Sequence, residues 1–171
     1  MPSWKTFNRH ALIWLWFSIS IIVLDQATKW WVIKTLGFYE NLIVLPFFNL
    51  THVHNYGAAF SFLHNEAGWQ KYLFVAFAIL AIIWLNYLLL FQKDTPQEAV
   101  RYSLTWWLRC ALAAILGGAI GNLIDRIIWG YVIDFLDFHA WGMHFPSFNV
   151  ADMAISGGAI LLVWTQFKEI D

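Results

Sequence analysis

Residues 117–152 read GGAIGNLIDRIIWGYVIDFLDFHAWGMHFPSFNVAD, and they decide how the rest of the chain is interpreted. A small-residue apolar segment leads through an aromatic linker into the start of another apolar segment. Four of the chain's eleven acidic residues lie here: Asp125, Asp134, Asp137 and Asp152. A carboxylate beside or inside a hydrocarbon layer is costly and usually marks a functional site. The stretch therefore predicts chemistry at one edge of a membrane scaffold.

The composition is that of a membrane protein, since 60% of the 171 residues are hydrophobic and 12% are charged. Soluble domains have about 45–50% apolar and about 25% charged residues. We expect residues 1–171 to form a single integral-membrane domain. A formal net charge of −1 gives no reason to expect nucleic-acid binding. The single cysteine, Cys110, cannot form an internal disulfide, and its apolar surroundings favour a packing role.

Four segments approach the roughly 20 apolar residues that a helix needs to cross a bilayer. Such segments are helical because lipid offers backbone groups no hydrogen-bond partner. The expected spans cover residues about 11–33, 72–91, 103–124 and 150–167. The first must include Asp25 to be long enough. Because no small-residue cleavage site follows it, we interpret it as a retained helix.

The distribution of basic residues predicts the orientation of the spans. Four spans place both termini on one side with the loop at 92–102, and that side carries Lys5, Arg9, Lys93, Arg101 and Lys168. The other side carries Lys34, Lys71 and Arg126. Cytoplasmic loops are enriched in Lys and Arg, so we expect both termini in the cytoplasm. The two outer segments, about 35–70 and 126–149, then face outward.

The first outer segment has the pattern of a small sheet. Residues 43–53 are rich in β-branched and aromatic side chains around Pro46, which predicts short strands. The sequence Asn55-Tyr56-Gly57 predicts a turn. With one apolar face, such a sheet could lie on the membrane surface.

Asp134 and Asp152 are the candidate chemical pair. The apolar neighbours of Asp134 favour desolvation, which would raise its pKa. Asp152 lies in the first turn of the fourth span, where the helix dipole favours a carboxylate. If the two face each other, they could share one proton; one would act as a base on water while the other donates a hydrogen bond to a scissile carbonyl. Such a pair titrates jointly, so the proton is not assigned to either residue.

The same residues also have structural interpretations that stay open. Asn149 is a candidate N-cap of the fourth helix, with Asp152 reaching back to a backbone N–H group. Asp134 could be a loop aspartate that points to water. Asn55 could present its amide to a substrate backbone, or it could serve only the turn.

Several other residues are candidates for support. Asp25 and Lys29 are spaced i,i+4 with the acid first, which favours a helical ion pair that braces the first span. Asp125 and Arg126 end the third span, and we expect them to pair with each other. Asn122 shares the helix face of Asp125.

The glycines of the third span indicate close packing. Gly117 and Gly121 have the GxxxG spacing of closely packed membrane helices, with Gly118 beside them. The same glycines could also leave room for a substrate helix. His52 and His54 would share a strand face, but the chain has no HExxH motif, and we expect neither a metal nor another cofactor.

Five motifs follow one another in order along nearly the whole chain. They are DQATK (25–29), NYGAAF (55–60), GGAIGNLIDR (117–126), VIDF (132–135) and FNVAD (148–152). Each motif is weak alone. Together, and in this order, they closely resemble those of lipoprotein signal peptidase, also called signal peptidase II, a family of bacterial inner-membrane aspartic peptidases.

This resemblance implies a membrane all-α fold, a four-transmembrane-helix bundle with a small extracytoplasmic β-cradle and a short, mobile periplasmic helix within residues 35–70. It implies that Asp134 and Asp152 are the catalytic aspartates and that water is the nucleophile, with no cofactor. The residues that it implies for substrate binding or support are Asp25, Lys29, Asn55, Gly117, Asn122, Asp125, Arg126, Asn149 and Ala151.

The implied substrates are prolipoproteins whose cysteine already bears diacylglycerol, and cleavage on the amino side of that cysteine is sensitive to globomycin in the family. We expect a monomer surrounded by membrane lipids. Two other functions stay open. One is a small proton-coupled transporter with a relay through Asp25, Asp125 and Asp152, and the other is a lipid-binding scaffold without catalysis.

Overall fold

The computed structural model describes residues 11–57, 69–91 and 102–168. Four long helices make up most of these residues: α1 Ala11–Thr35, α2 Trp69–Leu90, α3 Tyr102–Ile128 and α4 Val150–Lys168. Each contains a stretch long and apolar enough to cross a membrane, at Leu12–Thr35, Lys71–Leu90, Trp106–Ile128 and Val150–Lys168. These apolar stretches lie within a few residues of the four expected spans at each end.

Helix α3 lies at the centre of the bundle and packs against the other three helices. Half of its most apolar window is buried, against 17% or less for the other helices. Small residues allow the close contact, because a Cβ atom on Gly117 would lie 2.8 Å from the Ser18 carbonyl oxygen of α1. A Cβ atom on Gly118 would collide with the Ala151 carbonyl oxygen of α4. The expected packing role is confirmed, and α1 and α4 fill the space beside these glycines.

A four-stranded antiparallel sheet is built from the segments that follow α1 and α3. Across the sheet, its strands are β1 Asn41–Leu45, β2 Phe48–Asn55, β3 Val132–Ala140 and β4 Met143–His144. Strands β1 and β2 confirm the strands expected around Pro46. Strands β3 and β4 come from the second outer segment, the aromatic linker, for which the sequence analysis makes no strand prediction. This segment supplies two of the four strands.

Strand β3 forms because its β-branched and aromatic side chains meet a partner strand in a matching register. Asn55 of β2 lies opposite Val132, and Val53 lies opposite Asp134. The pairing joins two segments that are far apart in sequence, so no local pattern reports it. The short periplasmic helix expected within residues 35–70 stays a prediction, because residues 58–68 lie outside the described part of the chain.

Two apolar clusters hold these elements together. The first joins α2 to α3 and contains Leu85, Leu89, Leu112, Ala113 and Leu116. The second joins the end of α1 to β3 and contains Val32, Leu36, Ile133 and Phe135. Because the second cluster includes both neighbours of Asp134, it fixes that residue against the outer end of the bundle.

Gly118→Leu should destabilise the protein, because the new side chain has to displace the α4 backbone at Ala151. Overpacking of this kind costs about 1–3 kcal/mol, and contact with backbone rather than side chain favours the upper end. Gly157→Leu is the matched control, since Gly157 lies on α4 with nothing within 4 Å of its Cβ position. Thermal unfolding in detergent micelles should show a lower midpoint for Gly118→Leu alone. Equal midpoints for the two variants would contradict the packing role.

Candidate active site

Asp134 and Asp152 approach the same place from different elements. Asp134 is the third residue of β3 and is only 2% exposed, whereas Asp152 is half-buried in the first turn of α4. Two buried amides lie between them, Asn122 of α3 and Asn149 immediately before α4. We call these two residues the amide pair. The alternative of a water-exposed Asp134 is wrong.

Asn149 connects the carboxylate of Asp134 to the backbone of Asp152. Its Oδ1 atom accepts a hydrogen bond of 2.9 Å from the backbone N–H of Asp152, which confirms it as the N-cap of α4. Its Nδ2 atom donates to Oδ1 of Asp134 over 2.7 Å. The expected reach of Asp152 back to a backbone N–H is wrong, because its Oδ1 atom instead accepts a 2.7 Å bond from Nδ2 of Asn122.

Asn55 supplies the second donor to Asp134. Its Nδ2 atom donates to Oδ2 of Asp134 over 2.9 Å, while its Oδ1 atom accepts from the backbone N–H of Gly57 over 2.8 Å. Gly57 has a φ of 89°, in the left-handed region that the turn requires. The turn therefore orients the Asn55 amide, and the amide orients the carboxylate.

The electrostatics of the pair follow from this burial. Desolvation, followed by the negative charge of Asp152, raises the pKa of Asp134 from 3.8 to about 7. Hydrogen bonds from Asn55 and Asn149 and the charge of Lys29 act in the opposite direction without cancelling the increase. The predicted effect of desolvation is confirmed. Asp134 is therefore partly protonated near neutral pH.

A buried ion cluster lies beside the amide pair. The Lys29 ammonium is 2.8 Å from Oδ2 of Asp25 and 2.9 Å from Oδ2 of Asp125. It also donates to Oδ1 of Asn122 over 3.0 Å. We call Asp25, Lys29 and Asp125 the Lys29 cluster. Its first contact confirms the expected i,i+4 pair.

The Lys29 cluster extends to the elements that carry Asp134 and Asp152. Oδ1 of Asp25 accepts a 2.9 Å bond from the backbone N–H of Ala151, a buried residue directly before Asp152. Oδ2 of Asp125 accepts a 3.1 Å bond from the backbone N–H of Ile133, directly before Asp134. Each acid of the cluster therefore fixes the backbone beside one acid of the candidate pair.

Gln26 also belongs to this network, although no spacing rule in the sequence predicts it. Its Nε2 atom donates to Oδ1 of Asp125 over 2.9 Å and to the carbonyl oxygen of Gly121 over 3.2 Å. Its position inside the DQATK motif is the one signal that could have identified it.

Arg126 does not form the ion pair expected with its neighbour, because Lys29 takes that position at Asp125. Its Nη1 atom donates to the carbonyl oxygen of Asn122 over 3.3 Å, and its guanidinium carbon lies 5.6 Å from the ring centroid of Phe74. The side chain is half-buried at the outer end of α3. Proximity in the sequence therefore predicts the wrong ion-pair partner for Asp125, which is Lys29 and not Arg126.

Asp137 has partners of its own on β3. His144 Nδ1 lies 2.8 Å from its Oδ1 atom, and Asn49 Nδ2 donates to its Oδ2 atom over 3.0 Å. Burial alone would raise the pKa of Asp137, but these hydrogen bonds, together with the charges of His144 and His139, outweigh it and lower the pKa. Asp137 is thus a structural carboxylate of the sheet.

The histidines of β2 share a face, as the alternation predicts. The Nε2 atoms of His52 and His54 are 3.2 Å apart, and Nδ1 of His52 donates to the Leu36 carbonyl oxygen over 3.0 Å. Among residues 11–57, 69–91 and 102–168, no group of three or more His, Cys, Asp or Glu is placed to hold a metal ion.

Comparison with known proteins identifies the family. The family model described as Signal peptidase (SPase) II matches residues 17–168. The lipoprotein signal peptidase of Psychromonas ingrahamii is 45% identical over 163 residues, which cover 95% of this chain and 89% of the relative. That of Alteromonas mediterranea is 47% identical over 167 residues, which cover 98% and 87% of the two chains.

Two solved structures of bacterial membrane enzymes have the same fold. Each superposes with a TM-score of 0.75 over 98% of this chain, at 30% and 28% sequence identity. The matched part covers 93% of the first enzyme and 99% of the second. From the family model, the relatives and this fold, the chain belongs to the signal peptidase II family.

Proposed function

We propose that Asp134 and Asp152 together activate the water with which this signal peptidase II cleaves diacylglyceryl-modified prolipoproteins, on the amino side of the modified cysteine. The observation that carries the proposal is the convergence of two carboxylates, from β3 and α4, on one amide pair. The raised pKa of Asp134 supports it, because a shared proton near neutral pH is what an aspartic peptidase requires.

The chemistry needs one ionised and one protonated carboxyl group. The ionised member takes a proton from water, and the resulting nucleophile attacks the scissile carbonyl carbon. The protonated member donates a hydrogen bond to the carbonyl oxygen, where negative charge develops. The leaving amine of the modified cysteine then takes a proton from the pair. Asn55, Asn122 and Asn149 hold the carboxylates in place through these steps.

The position of the pair at the ends of two spans suits a lipid-anchored substrate. Asp134 follows the end of α3 closely, and Asp152 lies at the start of α4. A cysteine held by diacylglycerol keeps its scissile bond at this depth. The chain is a multi-pass protein of the bacterial inner membrane, and the charge distribution favours cytoplasmic termini with the site at the periplasmic face.

The sheet supplies a surface for the extended part of the substrate. Strand β1 lies at the edge of the sheet, and all five of its residues are exposed. An edge strand can pair with an extended peptide through backbone hydrogen bonds. We propose that the enzyme works as a monomer in contact with membrane lipids, and that Gly117 and Ala151 contribute by keeping the helices close.

The contacts of the Lys29 cluster argue against a proton relay. Asp25 and Asp125 are both paired with Lys29 and hydrogen-bonded to backbone N–H groups. They are fixed beside one another rather than spread across the membrane. Inhibition of substrate cleavage by globomycin would further separate a peptidase from a carrier.

Asp134→Asn and Asp152→Asn should each lower kcat at least about 100-fold, because each variant removes one acid–base partner. Asp137→Asn is the matched control, since it changes the same residue type on the same strand away from the amide pair. Cleavage of a purified diacylglyceryl prolipoprotein, followed by gel shift, measures the rates. A folded Asp134→Asn or Asp152→Asn variant that cleaves at the wild-type rate would refute the assignment.

Stability should depend on pH through Asp134. Its pKa in the folded protein is about 7 against 3.8 for the ordinary carboxyl group, so the folded state binds the proton more tightly. The stability of the wild type therefore falls as the pH rises from about 4 to about 7, by about 1.4 kcal/mol for each unit by which the pKa is raised. Asn does not titrate and escapes this loss.

The unfolding midpoint of Asp134→Asn should therefore rise relative to that of the wild type between pH 5 and pH 8. Most of this change should fall below about pH 7, the pKa of Asp134 in the folded protein. Thermal scans in the same detergent at both pH values measure it, with Asp137→Asn again as the control. A difference that stays constant with pH would mean that Asp134 titrates like an ordinary carboxyl group.

A further inference from the structure

We infer that Lys29 is a positioning residue for the reaction: it fixes which end of the Asn122 amide faces Asp152, and so supplies that carboxylate with a hydrogen-bond donor. The inference rests on the proposed role of Asp134 and Asp152. Lys29 is only 1% exposed and donates a hydrogen bond to neither residue, and the side chain that joins its ammonium to the Asp152 carboxylate is that of Asn122.

The first step concerns the ammonium group. It has three N–H donors and no acceptor. Three oxygen atoms surround it at 2.8, 2.9 and 3.0 Å, from Asp25, Asp125 and Asn122. Every donor is therefore used. Because an ammonium can only donate, the atom of Asn122 that faces it has to be Oδ1.

The second step concerns the other end of the same amide. With Oδ1 held by Lys29, Nδ2 has to face Asp152, and it lies 2.7 Å from Oδ1 of that residue. An NH2 group can only donate, so this carboxylate oxygen is always an acceptor. A flipped amide would place two oxygen atoms against each other and remove the donor that supports the negative charge.

The third step extends the effect to Asp134. Oδ1 of Asn122 also accepts a 3.3 Å bond from Nδ2 of Asn149, the atom that donates to Asp134 over 2.7 Å. The positive charge of Lys29 also lowers the pKa of Asp134. Both carboxylates of the pair therefore depend on Lys29, one through the Asn122 amide and the other through charge and the second amide.

A bracing role alone does not explain this geometry. The two acids of the cluster need only two of the three ammonium protons. The third proton goes to the neutral Asn122, which leads to Asp152. The other groups facing the cluster are Gln26, which donates to both acids, and Arg126, which is bonded to the Asn122 backbone. None of these groups could replace Lys29 at the Asn122 side-chain oxygen while keeping its own contacts.

The test compares Lys29→Met, Asn122→Ala and Asp25→Asn in the full-length protein, with kcat and KM measured against pH on a diacylglyceryl prolipoprotein. Lys29→Met and Asn122→Ala should each lower kcat about tenfold or more while KM changes less than about threefold. In both, the alkaline limb of the kcat profile should move to higher pH by about half a unit or more, because the pair holds its proton more tightly.

Asp25→Asn serves as the control for bracing, since it weakens the cluster but leaves the bond between Lys29 and Asn122 in place. It should lower the unfolding midpoint without moving the alkaline limb to higher pH. If Lys29→Met does not fold, Asn122→Ala still tests the amide link with both ion pairs in place, and an unchanged pH profile in that variant overturns the inference.

Two outcomes would overturn the inference. In the first, Asn122→Ala and Lys29→Met lower only the unfolding midpoint and keep the wild-type pH profile. In the second, Lys29→Met moves the profile but Asn122→Ala does not, which would mean that charge acts without the amide. If Asp134→Asn and Asp152→Asn are inactive, either result still supports the catalytic role of the aspartate pair. The experiments therefore distinguish a failure of the Lys29 inference from a failure of the proposed function.

Discussion

The fold and the site depend on one buried ammonium, that of Lys29. Its partners Asp25 and Asp125 lie on α1 and α3. Asp25 also accepts a hydrogen bond from the backbone N–H of Ala151 on α4, and Asp125 accepts one from the backbone N–H of Ile133 on β3. Removing one partner from a buried ion pair costs about 3–5 kcal/mol, because the remaining charge stays uncompensated. One side chain thus holds three helices and the sheet in a fixed relation.

Close contact between backbones complements this electrostatic constraint. Gly118 of α3 lies so close to the Ala151 carbonyl of α4 that a Cβ atom would collide with it. Asp152 follows in the next position, so its distance from α3 is set by the backbone itself. Asn122 lies one turn along α3 from Gly118 and reaches across to the carboxylate. The geometry of the candidate pair is therefore a property of helix packing and tolerates little local change.

Sequence spacing predicts the features that arise within a few residues. The i,i+4 pair of Asp25 and Lys29 and the Asn149 cap are of this kind, as are the four spans, whose signal is continuous apolar sequence. The amide pair, the partner of Asp125 and strand β3 arise from contacts between distant segments. Their partners are set by tertiary packing, which no local period encodes. Motif resemblance nevertheless selects Asp134 and Asp152 together, because it carries information from the whole chain.

The order of the elements along the chain has a consequence for biogenesis. Lys29 on α1 is synthesised first, and Asp134 on β3 is synthesised much later. Asn149 and Asp152 follow only with α4, the last of the helices described. A nascent chain that has not yet inserted α4 lacks one acid of the proposed pair and the cap that joins the two. The proposed pair is therefore complete only after α4 has been synthesised and has packed against α3.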